Sequence, residues 1–306
     1  MKIGVIGLGS IAQKAYLPIY TTEFSQHDWY FSTRTESVLK ETAQKYGLPQ
    51  ENLYTDWKEL AENVEAVFIH TPTHTHEEII RYYLDKQIPV FVDKPITDNL
   101  KTTKELLKLA KEKNTLLTAG FNRRFAPMVQ KLRNIPAKNI LSLEKNQENN
   151  TDFSVRYRLY DMMIHPIDTA VYLAGESLSV RDSRVLTKEN HFLHAWVLLE
   201  NENMSVTVRI NNQSGAKREV FEVQSPSKTA IVENLTDWTE YTVEGVTRKV
   251  AGDWTPTLEK RGFLPMIQAF LTVVETNGEN PVSLASALAS HEVCEAVVNQ
   301  YENEQN

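Results

Sequence analysis

The chain begins Met1-Lys-Ile-Gly-Val-Ile-Gly7-Leu-Gly9-Ser-Ile-Ala12, an apolar strand that runs directly into a Gly-x-Gly-x-x-Ala turn. Gly7 allows a sharp turn off the strand, Gly9 leaves room for a pyrophosphate beside the backbone, and Ala12 is small enough for the next helix to pack closely. The N-terminus of that helix offers unpaired N–H groups to phosphates. The stretch therefore predicts the first strand and phosphate loop of a dinucleotide-binding domain.

The residues that follow alternate between short apolar segments and amphipathic ones. We predict strands at residues 3–6, 29–32, 66–70, 89–92 and 116–119, and helices at 11–22, 36–46, 76–86 and 100–113. This alternation is typical of a doubly wound parallel sheet with helices on both faces. We expect a Rossmann domain over residues 1–120.

From about residue 120 the pattern changes. Amphipathic strands are predicted at residues 140–144, 194–199, 205–210, 219–224 and 229–232, with helices at 127–133, 162–173, 258–276 and 283–301. Alternating polarity indicates an antiparallel sheet with one face in water. The predicted fold class is therefore α/β, with an N-terminal doubly wound parallel sheet. A C-terminal α/β domain with a mainly antiparallel open sheet, residues 121–306, is expected to bind substrate and to dimerise.

Composition narrows the class of protein. A length of 306 residues fits two domains, and a net charge of −7 argues against nucleic acid or an anionic membrane as partner. The longest uncharged apolar stretch, residues 262–274, is too short to span a bilayer, and no signal peptide is visible. The one cysteine, Cys294, excludes an intrachain disulfide and is interpreted as a core residue. We expect a cytoplasmic protein that acts on a small molecule.

The residues after the second strand bear on the choice of dinucleotide. They read Phe31-Ser32-Thr33-Arg34-Thr35 and include no carboxylate to hold a ribose 2′-OH, as NAD sites usually do. A guanidinium and hydroxyls can instead hold a 2′-phosphate. The alternative is that Arg34 is a solvated loop residue. We favour NADP as the cofactor, with NAD as the alternative.

Two segments carry groups suited to proton transfer. Lys94 follows a buried strand at the end where open α/β sheets hold ligands, and a partly desolvated lysine has a lowered pKa. Equally, Lys94 and Pro95 fit a turn whose ammonium reaches solvent. Asp161-Met-Met-Ile-His165 places a carboxylate and an imidazole four residues apart on one helical face. The alternative is a helix capped by Asp161, with His165 in the core.

Two further segments carry less specific signals. His70, His74 and His76 lack a completing set of carboxylates or thiolates, so we expect no metal site. Gly120-Phe-Asn122-Arg123-Arg124-Phe-Ala-Pro127 lies at the predicted domain junction. Its arginines can face phosphates, the substrate or acidic residues.

Together these segments resemble the Gfo/Idh/MocA family of nicotinamide-dependent oxidoreductases, and within it the MviM (virulence-factor-like) subgroup. The similarity covers nearly the whole chain and is most specific over the first 175 residues. The matching segments are the Gly7–Ala12 loop, Thr71-Pro72-Thr-His74-Thr-His76, Asp93-Lys94-Pro95, Gly120–Pro127, Asp161-Met-Met-Ile-His165 and Thr257-Leu-Glu-Lys-Arg-Gly-Phe263.

The resemblance implies an NAD(P)-dependent dehydrogenase or reductase that acts on CH–OH groups of a sugar, polyol or related compound, as a homodimer or higher homo-oligomer. It implies that His165 exchanges the hydroxyl proton, Lys94 polarises the same oxygen and Asp161 orients the substrate. The cofactor residues predicted are Gly7, Gly9, Ser10, Ile11, Ala12, Ser32, Thr33, Arg34, Thr71, Pro72, His76, Lys94 and Arg124. The substrate residues implied are Tyr160, Asp161 and His165.

Two departures from the family pattern matter. Asp93 stands where the family has glutamate, and Arg156-Tyr-Arg-Leu-Tyr160 replaces the glycine run that usually precedes the Asp–His helix. Bulky cationic and aromatic groups at that position predict either an acidic or phosphorylated substrate or internal packing. They also keep open an alternative function, an NADP-binding regulatory or sensor protein without turnover.

Overall fold

The computed structural model describes residues 1–151, 153–175, 177–189 and 191–305. Its contacts divide the chain into two compact units. Unit 1 comprises Met1–Gly120 and Met266–Leu284, and unit 2 comprises Phe121–Pro265 and Ala285–Asn306. The sequence prediction, with its boundary at residue 120, instead assigns residues 266–284 to the second domain. Aromatic packing gives the physical reason for their place in unit 1, because the ring of Phe270 lies 5.0 Å from that of Phe68 and 5.5 Å from that of Phe91.

Unit 1 is built on a parallel sheet with six strands among its described residues, in the order β3-β2-β1-β4-β5-β6. The strands are β1 (Lys2–Ile6), β2 (Asp28–Ser32), β3 (Leu53–Tyr54), β4 (Ala66–Ile69), β5 (Val90–Asp93) and β6 (Leu117–Gly120). All four residues of β4 are buried, as expected of a strand covered on both faces. The predicted parallel sheet is confirmed. Strand β3 was not predicted, because a strand of two residues is too short to show a hydrophobic pattern.

Five helices connect these strands in the described part of unit 1. They are α1 (Leu17–Thr22), α2 (Glu36–Tyr46), α3 (Trp57–Leu60), α4 (His76–Asp85) and α5 (Leu100–Glu112). A π-helical turn, Ala12–Tyr16, leads into α1. Local sequence explains several boundaries: the side chain of Asn99 accepts a hydrogen bond from the Thr102 amide at the start of α5, and Gly47 ends α2 with φ +67°.

Unit 2 is built on a larger sheet, in the order β14-β13-β12-β11-β7-β10-β9-β8 over its described residues. The strands are β7 (Ile140–Asn146), β8 (Ser179–Lys188), β9 (His191–Asn201), β10 (Met204–Asn211), β11 (Arg218–Ser225), β12 (Lys228–Glu233), β13 (Asp237–Thr242) and β14 (Gly245–Val250). Neighbours pair antiparallel except β7 and β10, which run parallel, so the predicted mainly antiparallel sheet is confirmed. Strand β14 was not predicted because its exposed residues show no alternation.

The remaining helices are α6 (Pro127–Arg133), α7 (Val155–Arg158), α8 (Ile164–Ala174), α9 (Thr257–Lys260), α10 (Phe263–Thr276) and α11 (Leu284–Gln305). A π-helical turn, Leu159–Met163, joins α7 to α8. The side chain of Ser154 caps α7 by accepting from the Tyr157 amide. Cys294 is buried in α11. None of the described helices combines the length and apolar character needed to cross a membrane.

Gly7 provides a test of the strand-to-helix turn. Its φ is +92°, and an added Cβ would lie 2.7 Å from the Thr71 amide nitrogen, which is backbone and cannot yield. We expect Gly7→Ala to lower the free energy of urea unfolding by about 2 to 4 kcal/mol. Gly9→Ala is the matched control, because a Cβ at Gly9 meets nothing within 4 Å. Equal stability of the two variants would contradict this account.

Candidate functional site

The predicted cofactor residues of unit 1 follow the carboxyl ends of neighbouring strands. The Gly7–Ala12 loop follows β1, Ser32–Arg34 ends β2, Thr71 and Pro72 follow β4, and Lys94 follows β5. Chain order reverses between β1 and β4, which are adjacent in the sheet. In open α/β sheets ligands bind at the carboxyl ends beside such a reversal. The topology therefore brings these residues to one edge of the sheet.

The glycine loop leaves space where a dinucleotide would contact the backbone. Gly9, Ser10 and Ile11 are exposed, and Ile11 is one of the few large apolar residues in that condition, at 41% exposure. Ala12 is fully buried beneath them. The amide of Gly7 donates to the carbonyl oxygen of Ser32, which joins the loop to the end of β2. This open backbone cradle fits a nicotinamide dinucleotide.

The end of β2 presents an exposed arginine. Ser32 is buried, Thr33 is half-buried and Arg34 is exposed, with no ion pair or side-chain hydrogen bond to any described residue. The nearest following carboxylate in the chain, Glu36, is paired with Lys40 at 2.6 Å. The guanidinium is thus available to a ligand, and no carboxylate of this segment stands free at the position of a ribose hydroxyl.

His76 ties two of these loops together. It is buried, its Nε2 lies 2.9 Å from the carbonyl oxygen of Thr71, and its Nδ1 lies 3.0 Å from that of Pro95. Carbonyl oxygens only accept and a neutral imidazole carries a single N–H, so the neutral ring donates to one of these two carbonyls and lies in contact with the other. His76 therefore positions the predicted cofactor residues by their backbone.

His70 is also engaged, whereas His74 is exposed. His70 lies 2.9 Å through Nε2 from the Tyr20 hydroxyl and stacks on Tyr16 with ring centroids 4.0 Å apart. Burial, and secondarily the neighbouring His76, lowers the pKa of His70 to about 3, so its ring is neutral. Among the described residues no group of three or more His, Cys, Asp or Glu side chains could hold a metal ion.

The carboxylate of Asp93 is fixed beside Lys94. It accepts hydrogen bonds from the Tyr16 hydroxyl and from the Lys94 amide, each at 3.0 Å. Burial raises the pKa of Asp93, and the positive charge of Lys94 opposes that rise. The shorter carboxylate that replaces the family's glutamate thus holds the start of the Lys94–Pro95 turn, which contains a cis peptide bond.

In unit 2, Asp161 and His165 lie within continuous helical structure. Because helix α7 begins at Val155 with Ser154 as its cap, Asp161 does not cap the helix. Both residues are half-buried, and Asp161 lies in the π-helical turn. Turns of this kind interrupt α-helices, frequently at functional sites.

His165 receives a hydrogen bond from Arg123, whose Nη1 lies 2.6 Å from the imidazole Nδ1. Arg123 also binds Glu219 through two nitrogens, and Glu219 lies 3.4 Å from the ammonium of Lys145. Arg261 is close enough to influence the pKa values of Lys145 and Glu219. We call Arg123, Lys145 and Arg261, with Glu219, the cation cluster.

Charges dominate the energetics of this cluster. Burial would raise the pKa of Glu219, but Arg123 and Lys145 outweigh it and lower that pKa to about 2. Burial and the nearby Arg123 lower the pKa of Lys145 to about 8. Burial also lowers the pKa of Arg261, again with help from Arg123. Near neutral pH the cluster holds three positive groups against one carboxylate.

Several other predicted residues are held by partners in unit 2. Arg124, predicted to contact the cofactor, donates to both carboxylate oxygens of Asp168, at 2.9 and 2.5 Å. Tyr160 is buried and donates to Glu295 at 2.6 Å, and Arg156 binds the same carboxylate. These contacts favour packing as the role of residues 156 and 160.

Sequence reasoning missed Lys145, Glu219 and Arg261. The strand pattern could have indicated the first two. Lys145 follows Leu141 and Leu143 at alternating, inward-facing positions of its strand, and Glu219 occupies an inward-facing position of its own strand. Each is therefore a charged residue at a core position of an amphipathic strand. Arg261 belongs to a segment noted only for its resemblance. No pattern in that segment indicates which way its side chain faces.

Comparison with known proteins agrees with this geometry. Residues 1–121 match the oxidoreductase family with an NAD-binding Rossmann fold, Gfo/Idh/MocA, and residues 127–242 match the YceM-like C-terminal domain. An oxidoreductase named YceM from Salmonella typhimurium is 30% identical over 295 residues, 92% of this chain and 94% of the relative. A myo-inositol 2-dehydrogenase from Thermotoga maritima is 30% identical over 207 residues, 62% of this chain and 60% of the relative.

A solved structure shows the same likeness over the whole chain. The crystal structure of the dehydrogenase MviM from Clostridium difficile superposes with a TM-score of 0.93 at 29% identity, covering 98% of this chain and 99% of that one. The chain belongs to the Gfo/Idh/MocA family of oxidoreductases, and its Rossmann unit indicates a nicotinamide cofactor. The resemblance found in the sequence is thereby confirmed.

The depressed pKa of Glu219 predicts an acid-sensitive stability. The folded pKa, about 2, lies below the ordinary value of 4.5, so the stabilisation is complete above pH 4.5 and is lost as the pH falls towards 2. We expect a loss of about 3 kcal/mol from this group. Urea unfolding at several pH values, followed by circular dichroism, measures it.

Glu219→Gln should be less stable at pH 7 and should lack this component of the acid dependence. Glu202→Gln, at an exposed turn, is the matched control and should keep the wild-type profile. An unchanged acid profile in Glu219→Gln would show that the carboxylate is not held as described.

Proposed function

We propose that this protein is an NADP-preferring dehydrogenase that transfers hydride between the nicotinamide ring and a hydroxyl-bearing carbon of a sugar, polyol or related compound. The observation that carries the proposal is the meeting of the glycine loop, Arg34, the Thr71-Pro72 segment and Lys94 at the carboxyl ends of strands β2, β1, β4 and β5. Family membership and the myo-inositol dehydrogenase relative support the reaction class.

The exposed backbone at Gly9 and Ser10 would receive the pyrophosphate, and Ile11 would pack on the cofactor. Ser32, Thr33 and Arg34 would hold the 2′-phosphate, because a guanidinium offers paired donors to phosphate oxygens. When bound, the nicotinamide accepts or returns the hydride. These assignments follow from exposure and strand position.

We assign the catalytic chemistry to Lys94, His165 and Asp161. A guanidinium only donates, so the hydrogen bond from Arg123 requires an unprotonated Nδ1 on His165. A neutral ring then carries its proton on Nε2 and donates to a substrate oxygen, which polarises that oxygen. As hydride reaches a carbonyl carbon, the Lys94 ammonium would give a proton to the carbonyl oxygen, and the reverse reaction would return that proton to the Lys94 amine. Asp161 would orient the substrate. This division of roles reverses that implied for Lys94 and His165 by the family resemblance alone.

We also propose that copies of the chain pair through the sheet of unit 2. One face of this sheet packs on helices α6 and α8, while the other carries half-buried apolar residues, including Trp196, Leu198 and Ile231. An apolar strip on an open sheet face is typical of a surface that a second subunit covers.

The choice of dinucleotide is tested by titrating the protein with NADPH and with NADH, followed by nicotinamide fluorescence. We expect tighter binding of NADPH, and a loss of about tenfold to a hundredfold for NADPH in Arg34→Ala with little change for NADH. Lys45→Ala is the matched control, because Lys45 is an exposed cation at the opposite end of helix α2. Tighter binding of NADH would refute the NADP preference. Binding of neither nucleotide would refute the dehydrogenase.

Turnover is tested by the change in absorbance at 340 nm with a panel of polyols, aldoses, aldonic acids and sugar phosphates. We expect Lys94→Ala to bind NADPH and to fold normally, while kcat falls by about a hundredfold or more. Full activity in this variant would remove Lys94 from the mechanism. Tight NADPH binding with no turnover across the panel would instead favour the regulatory alternative.

A further inference from the structure

We propose that Arg261, Lys145 and Arg123 form a subsite in unit 2 for an anionic group of the substrate, a carboxylate or a phosphate. The inference rests on the proposed dehydrogenase function and deepens it by naming the substrate class. The subsite would adjoin His165, because Arg123 donates to that imidazole.

The cluster is built into the covered face of the sheet. Lys145 and Glu219 lie opposite each other where β7 and β11 pair, on the face that also carries Leu143 and Phe221. Their side chains are only 13% and 7% exposed. A lysine at such a position is desolvated on folding, which costs free energy unless a negative group compensates.

The compensation within the cluster is incomplete. The carboxylate of Glu219 is engaged on both oxygens by Arg123, and its contact with Lys145 is a long 3.4 Å. Arg261 has no ion pair or side-chain hydrogen bond among the described residues, although it is half-buried. Three cations therefore share one carboxylate, and an anionic ligand would supply the missing charge.

The backbone around Arg261 is fixed, as a binding residue requires. The side chain of Asn122 donates to the Arg261 carbonyl oxygen at 2.8 Å and accepts from Arg123 at 3.3 Å. Gly262 has φ +81°, and a Cβ there would collide with the carbonyl oxygen of Asn122. One buried amide thus places two of the three arginine and lysine residues of the cluster.

Carboxylate and phosphate oxygens match these donors because guanidinium and ammonium groups bind them with charge-assisted hydrogen bonds. The sequence-based suggestion of an acidic or phosphorylated substrate relied on residues 156–160. Arg156 is instead bound to Glu295, so the positive charge available to a ligand comes from different residues. A hydroxy acid or a sugar phosphate is the substrate class that results.

The test is isothermal titration calorimetry on protein saturated with NADPH, so that the probes cannot bind at the phosphate loop. The probes are D-gluconate and glucose 6-phosphate, with sorbitol and D-glucose as their neutral counterparts. We expect at least one anion to bind more tightly than its counterpart, and Arg261→Gln to weaken that binding by about tenfold to a hundredfold. Preference for D-gluconate identifies a carboxylate and preference for glucose 6-phosphate a phosphate.

Arg248→Gln is the matched control, because Arg248 is an exposed arginine of β14 in the same unit, and it should bind the anions as wild type does. Arg261→Gln should keep its NADPH affinity and unfold at a temperature no lower than wild type, since the change relieves repulsion between cations. Lys145→Met should weaken the binding of the same anion.

Equal binding of charged and neutral probes, or unchanged anion affinity in Arg261→Gln, would overturn the subsite. Because calorimetry needs no turnover, the two proposals fail separately. Anion binding that depends on Arg261 without hydride transfer would support the anion subsite and refute the proposed dehydrogenase function. Turnover of neutral polyols with no preference for anions would support the dehydrogenase function and refute the subsite.

Discussion

Three consecutive polar side chains, Asn122, Arg123 and Arg124, are each only 4% exposed, and the packing of unit 2 depends on them. Asn122 binds the carbonyl oxygen of Arg261, while Arg123 and Arg124 form buried ion pairs with β11 and with helix α8. A buried charge is tolerated only when it is paired, so each bond restrains the position of the element that supplies its partner. This one short turn therefore connects the sheet, helix α8 and the segment before α10.

The same turn determines the chemistry available at His165. Through Nη1, Arg123 sets which imidazole nitrogen can carry a proton, and through its other nitrogens it engages the carboxylate of Glu219. Lys145 and Arg261 then share a carboxylate that is already bound. A single arginine thus forms a structural ion pair and creates a region of unbalanced positive charge. The imbalance arises because Arg123 already engages the carboxylate that Lys145 and Arg261 share.

In unit 1, hydrogen bonds align the loops that follow separate strands. The buried ring of His76 lies between carbonyl oxygens of the segments after β4 and β5, and the Tyr16 hydroxyl donates to the carboxylate that precedes Lys94. Hydrogen bonds to backbone fix loop positions without using the side chains left exposed at the loop surface. Arg34 and Ile11 lie on the neighbouring loops, after β2 and β1, and both are exposed.

The sequence by itself determined the alternation of strands and helices, the phosphate loop and the family, because periodicity and glycine spacing are local properties. It also singled out Lys94, Asp161 and His165 as chemically suited groups. Tertiary structure decided which charges meet: that Arg124 pairs with Asp168, that Arg156 and Tyr160 share Glu295, and that Lys145, Glu219 and Arg261 gather around Arg123. Arg124 and Asp168 are 44 residues apart along the chain, and Arg156 and Glu295 are 139 residues apart. Such contacts depend on strand register and helix packing, which no local pattern encodes.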